Sequence, residues 1–174
     1  TYAFALKALI DAGAALAGTV ELHFTYDEES GGVLGPKWLL DEGIIRPDYV
    51  ICAGFAYGIV TAHDGALHLE VTVHGKQAHA AMPGTGVDAL EAATGILAAL
   101  YATRRSYAAN VSAVAGIGSP QLNVGLIEGG INTNVVPDRV TFRLDRRIIP
   151  EERGATVEAE LRAIVARTMA AYPR

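Results

Sequence analysis

Cysteine is nearly absent from this sequence: Cys52 stands alone among 174 residues. A single thiol excludes an internal disulfide framework and a cysteine-built zinc knuckle, and it suits a reducing, cytoplasmic compartment. Aromatic residues make up only 7%, with no basic residues interleaved among them, so no stacking platform for nucleic acid is visible. Positive charge is also in deficit. Lys+Arg 14 against Asp+Glu 19 leaves −5, which argues against a nucleic-acid partner or an anionic membrane surface. No apolar run reaches the roughly 18 residues that a membrane-spanning helix needs. A Gly-x-Ser-x-Gly nucleophile elbow, a phosphate-binding glycine loop and a histidine pair at i, i+4 spacing are all missing. The opening residues carry no basic segment followed by a small-residue cleavage site, so no signal peptide is expected.

What is present is apolar. Hydrophobic residues reach 51% and charged residues 19%, enough for a sizeable core and too few charges for disorder. The chain opens at Thr1 directly into an apolar pattern and closes at Tyr172-Pro173-Arg174 after a helical one. It therefore reads as the central fragment of a longer protein.

Periodicity predicts a helix over 2–13, a strand over 18–26, a helix over 35–42 with Pro36 in its first turn, and a short buried strand over 49–52. Helix alternating with apolar strand is the rhythm of an α/β layer with parallel strands. After Gly65 the grammar changes. Leu67, Leu69, Val71 and Val73 alternate with His68, Glu70, Thr72 and His74, the mark of an antiparallel sheet with one solvated face. A helix follows over 86–103, with Val87, Leu90, Leu97 and Tyr101 on its expected inner face. Strands are predicted at 121–128 and 139–147, the latter burying Val140, Phe142 and Leu144. A last helix spans 152–171, with Val157, Leu161, Ile164 and Thr168 in line. From residue 66 the order is strand, helix, strand, strand, helix, which a ferredoxin-like sandwich would complete with one more strand. The domain boundary falls near residues 58–65.

Three segments carry candidate chemistry. Asp27-Glu28-Glu29, followed by Ser30-Gly31-Gly32, ends an apolar strand, where ligands of α/β sheets gather. Adjacent carboxylates repel one another and a bound cation would relieve that cost; a solvated acidic turn fits the same residues. His79 lies in a loop rich in small residues, Gly75-Lys-Gln-Ala-His79-Ala-Ala-Met-Pro83, and could donate to a developing oxyanion or simply sit at the surface. Asn134 lies in the turn Gly129 to Asp138, and Arg143, Asp145, Arg146 and Arg147 follow it. An Asn amide can bind an oxyanion and an Arg fork a carboxylate, although both residue types are also ordinary on turns and exposed strands.

Together and in this order, these segments resemble the co-catalytic zinc metallopeptidase family of the aminoacylases, acetylornithine deacetylase and succinyl-diaminopimelate desuccinylase. The resemblance covers nearly the whole chain. It rests on Asp27-Glu28-Glu29-Ser-Gly-Gly, Gly75-Lys-Gln-Ala-His79-Ala-Ala-Met-Pro83, Asn134-Val-Val-Pro137-Asp138 and Asp145-Arg146-Arg147. It implies an α/β fold class: part of a catalytic α/β sheet domain over residues 1–64, and a ferredoxin-like α+β lid and dimerisation domain over 65–174 that lacks its last strand. By the same resemblance Glu28 would be the general base and Glu29 a metal ligand. His79 would reach across a homodimer to stabilise the tetrahedral intermediate, and Asn134 and Arg147 would bind the substrate. The implied chemistry is metal-assisted hydrolysis of an amide bond in an N-acyl amino acid or small peptide, with zinc, cobalt or manganese in a dinuclear site.

Two departures qualify the transfer. The family's upstream His and bridging Asp have no counterpart in this sequence, so the chain alone is expected to be inactive. Where the family has a ligating Glu after the strand, this chain has Phe55, which cannot bind zinc. Asp64 could substitute for it, or the parent could bind fewer metals. The competing expectation is an inactive relative that serves dimerisation or ligand binding.

Overall fold

The computed structural model describes residues 1–52 and 58–172, so the expectation attached to Phe55 lies outside the described residues. The chain divides into two compact units, Thr1–Tyr57 and Gly58–Arg174.

The first unit begins with helix α1 (Tyr2–Asp11), braced on its surface by a Lys7–Asp11 ion pair and stopped by Gly13 at φ 62°. The strands predicted at 18–26 and 49–52 are not formed: neither stretch makes a backbone hydrogen bond among the described residues. A parallel strand is stable only with neighbours on its edges and helices over its faces, and periodicity cannot supply those neighbours. The apolar side chains of both stretches are accordingly open to solvent, with Phe24 73% and Ile51 85% exposed. The helix predicted at 35–42 begins slightly earlier. A π-helical turn, Val33–Lys37, runs into helix α2 (Trp38–Asp41), and Pro36 sits in the turn where a missing N–H costs least.

In the second unit the predicted order appears in full. Strand β1 (Gly65–His74) is followed by helix α3 (Ala89–Ser106), strands β2 (Gln121–Gly129) and β3 (Arg139–Ile148), and helix α4 (Gly154–Met169). The strands form an antiparallel sheet ordered β1-β3-β2, with His68 opposite Asp145 and Thr72 opposite Thr141. A bulge at Gly125 shifts the β2–β3 register, so that Val124 faces Leu144 and Leu126 faces Arg143.

Both helices pack on one face of the sheet. Val140, Phe142 and Leu144 of β3 share one buried cluster with Val157, Leu161 and Ile164 of α4, the inward residues their spacing predicts. The inner face of α3 differs from the prediction. Ala89, Ala92, Ala93, Ile96 and Leu100 are buried, whereas Leu90 is 46% exposed. These positions follow the i, i+3, i+4, i+7, i+11 rule, and the three alanines let the helix approach the sheet closely. Asp88 caps α3 by accepting from the N–H groups of Leu90 and Glu91 at 2.8 and 3.1 Å.

The inward row of β3 ends in a charge. Arg146 is 1% exposed, bonded to Glu152 Oε1 at 2.6 Å and to the carbonyl of Arg147, with the Tyr107 ring 4.3 Å from its guanidinium carbon. Burial works to lower its pKa, but the bonds to Glu152 and Tyr107 outweigh it and raise the pKa above the ordinary value. This group ties the end of the sheet to the start of α4.

Candidate functional site

Asp27, Glu28 and Glu29 do not act alike. Asp27 Oδ2 accepts from the Leu34 N–H at 2.6 Å, which anchors the turn that follows. Glu28 and Glu29 lie on a single 3-10 turn, Glu28–Ser30, exposed and without side-chain hydrogen bonds among the described residues. Gly31 and Gly32, at φ 99° and 68°, reverse the chain immediately afterwards, a conformation that side chains rarely tolerate. Of the three adjacent carboxylates, one is therefore structural and two are available.

The loop from Gly75 to Asp88 folds back on the segment that leads into β3. Gly75 N–H donates to the Asp138 carbonyl at 2.7 Å, Ala80 N–H to the Asn134 carbonyl at 2.9 Å, and Val136 N–H to the Ala78 carbonyl at 2.9 Å. His79 and Val135 thus form an antiparallel bridge, which places the backbones of His79 and Asn134 side by side. Gly75 lets the loop close on its own far end: a Cβ there would collide with the Val87 carbonyl oxygen and lie 3.0 Å from the Ala89 nitrogen. The His79 ring is fixed by the Ala81 N–H, which donates to Nδ1 at 3.1 Å. A neutral ring that accepts at Nδ1 carries its proton on Nε2, and that donor has no partner among the described residues.

Arg147 lies elsewhere. It occupies the far end of β3, opposite Ala66 and Gln121, while Asn134 precedes the first residue of the strand, Arg139. Eight strand residues at roughly 3.3 Å each put about 26 Å of backbone between the two ends. The structure brings His79 and Asn134 together and keeps Arg147 apart from them. Arg147 Nε donates to Asp145 Oδ2 at 2.9 Å, and its side chain is 47% exposed.

Two partners escape a reading by residue type. His68 looks like an outward strand residue, yet its Nε2 stands 3.6 Å from Asp145 Oδ1. Asp145 sits two places before Arg147, a spacing that puts both on one strand face, and this spacing is the signal that could have revealed the pair. A cleft of about 500 Å³ between α3 and α4, lined by Tyr107, Glu151, Glu152 and Glu160, contains none of the expected site residues. No cluster of three or more His, Cys, Asp or Glu able to hold a metal occurs among the described residues. No described helix is long and apolar enough to cross a membrane.

The second unit is thus a three-stranded antiparallel sheet under two helices, with a histidine loop laced to the entry of its central strand. Residues 61–173 match the family model described as the peptidase dimerisation domain, and the chain belongs to that family. It is 30% identical over 159 residues to a succinyl-diaminopimelate desuccinylase of Granulibacter bethesdensis, covering 85% of this chain and 40% of that protein. An acetylornithine deacetylase of Vibrio atlanticus is 28% identical over 151 residues, covering 86% and 40% respectively. The crystal structure of aminopeptidase PepT from Bacillus cereus superposes with a TM-score of 0.60 at 26% identity, over 95% of this chain and 42% of that one. These relatives are hydrolases of the peptidase and deacylase kind. The chain spans 24% to 40% of the length of the curated relatives it matches.

Proposed function

We propose that this chain is the central part of a metal-dependent hydrolase that cleaves the amide bond of an N-acyl amino acid or small peptide. In this reading residues 1–64 belong to the catalytic α/β domain. Residues 65–174 form the lid through which two copies dimerise, completed by a further strand on the free edge of β1.

The separation of Arg147 from His79 and Asn134 carries the proposal. A substrate of that class is far shorter than β3, so one pocket cannot take all three residues from one sheet. Two protomers resolve the conflict: His79 and Asn134 come from one, and Arg147 from its partner.

The exposed carboxylates of Glu28 and Glu29, unpartnered among the described residues, suit a divalent cation such as zinc, cobalt or manganese, with Glu29 among its ligands. The rest of the ligand set then comes from outside the described residues. A divalent metal there supplies Lewis-acid polarisation of the amide carbonyl. Glu28 takes a proton from the attacking water and returns it to the leaving nitrogen. His79 Nε2–H and the Asn134 amide donate to the oxygen on which negative charge develops, and Arg147 pairs with the substrate carboxylate.

Mixing two inactive variants of the intact enzyme, His79→Ala and Glu28→Gln, tests this. Shared sites predict recovery of about a quarter of wild-type activity, because half the dimers are mixed and each has one complete site. No recovery after confirmed subunit exchange would place both residues in the same protomer and overturn the shared site.

A further inference from the structure

The outward face of the sheet is a polar row centred on Asp145. His68 of β1 and Asn123 of β2 flank it across the strands, and Arg143 and Arg147 lie two residues away along β3. Its two oxygens are in different circumstances. Oδ2 accepts from Arg147 Nε at 2.9 Å. Oδ1 is shut off from solvent and has no hydrogen-bond partner among the described residues, with His68 Nε2 3.6 Å away. The neighbouring Arg143 is held in the same way, its Nε donating to Glu70 Oε2 at 2.7 Å.

We infer that Asp145 is the positioning residue for Arg147: it holds the guanidinium by Nε and leaves both Nη groups for a substrate carboxylate. The inference rests on the reading of Arg147 as the carboxylate-binding residue. The Arg147 guanidinium makes no other hydrogen bond among the described residues, so its long side chain would otherwise sample many rotamers. A two-pronged contact needs the planar fork held in one orientation before the substrate arrives. Charge alone cannot replace that geometry, because Arg143 and Arg147 are balanced by Glu70 and Asp145 and the row has no excess positive charge when His68 is neutral. The fork must therefore bind by alignment, and Asp145 provides the alignment. His68 Nε2 stands 3.6 Å from the unpartnered Oδ1, beyond hydrogen-bond distance.

The test uses the ¹⁵N-labelled chain and then the intact enzyme. The Arg147 Nε–H signal, assigned by its loss in Arg147→Lys, should exchange with water severalfold faster in Asp145→Ala. Asp145→Asn, which keeps an acceptor oxygen, should fall between Asp145→Ala and wild type. In the enzyme, Asp145→Ala should raise KM about tenfold with kcat nearly unchanged, the pattern of lost uniform binding. Unchanged Nε–H exchange, or faster exchange with an unchanged KM, overturns the positioning role. Should Asp145→Ala fail to fold, Asp145→Asn and Asp145→Ser carry the same comparison. An unchanged KM in Arg147→Ala would instead remove the substrate reading of Arg147, and the exchange measurement would still decide whether Asp145 holds it.

Discussion

Ala81 donates its backbone N–H to Nδ1 of His79 at 3.1 Å. That one bond selects which ring nitrogen carries the proton and aims a donor away from the loop. Nitrogen NMR of the neutral ring should show the Nε2–H tautomer. In the intact enzyme, His79→Ala should lower kcat by about 100- to 1,000-fold, the usual effect of losing one oxyanion donor, with little change in KM. A loss confined to KM would make His79 a substrate-binding residue instead.

The Glu29 carboxylate makes no hydrogen bond among the described residues that a metal would have to break. Elemental analysis of the intact enzyme should find about two divalent ions per subunit, fewer in Glu29→Ala, and activity lost on chelation and restored by zinc, cobalt or manganese. Equal metal content in both proteins would rule out Glu29 as a ligand.

Arg146 and Glu152 form an ion pair whose cationic member is almost wholly buried. Glu152→Ala should lower stability in urea denaturation by about 3 kcal/mol, because it strands the guanidinium in the core. Changing both residues, Arg146→Met with Glu152→Ala, should cost less than Glu152→Ala alone. If it costs more, the pair itself stabilises the fold beyond satisfying its own burial.

Glu151 accepts from the Ala113 N–H at 2.7 Å and from the Ser112 hydroxyl at 3.0 Å. The Ala113 bond is the main reason its pKa lies below the ordinary value of 4.5. The folded state therefore binds fewer protons here than the unfolded one. The stabilisation is complete above the unfolded value and is lost as pH falls through the folded value. Glu151→Gln should melt below wild type at neutral pH, and the gap should close under acid conditions. A gap independent of pH would mean that the amide fails on shape rather than charge.

Much of the second unit was legible because its strands alternate and its sheet has one dry face. Leu67 to Val73 and Val140 to Leu144 announce their inner sides at period two, and Val157, Leu161 and Ile164 do so at helical spacing. The inner face of α3 was harder to read, since Ala89, Ala92 and Ala93 carry little hydrophobic signal while Leu90 and Tyr101 draw the eye to the rim. The burial of Arg146 was hidden for the opposite reason: its place in the inward row follows from strand phase, but its tolerance there depends on Glu152 and Tyr107, which local pattern cannot reveal. In the first unit, Val20 to Tyr26 has the composition of a strand without a neighbour to pair with. The separation of Arg147 from Asn134 was hidden as well. They are thirteen places apart by number, yet the extended run of β3 turns a short interval in sequence into opposite ends of a sheet.

The central strand of the sheet is also the last of the three to be synthesised. Thr72 and Thr141, whose hydroxyls meet at 3.1 Å, are 69 residues apart in the chain. As the protein leaves the ribosome, β1 must wait through α3 and β2 with its apolar side exposed, because neither early strand can pair until β3 emerges. The nascent lid therefore passes through a stage with two unmatched edges, and a chaperone that shields β1 and β2 would act before β3 closes the sheet.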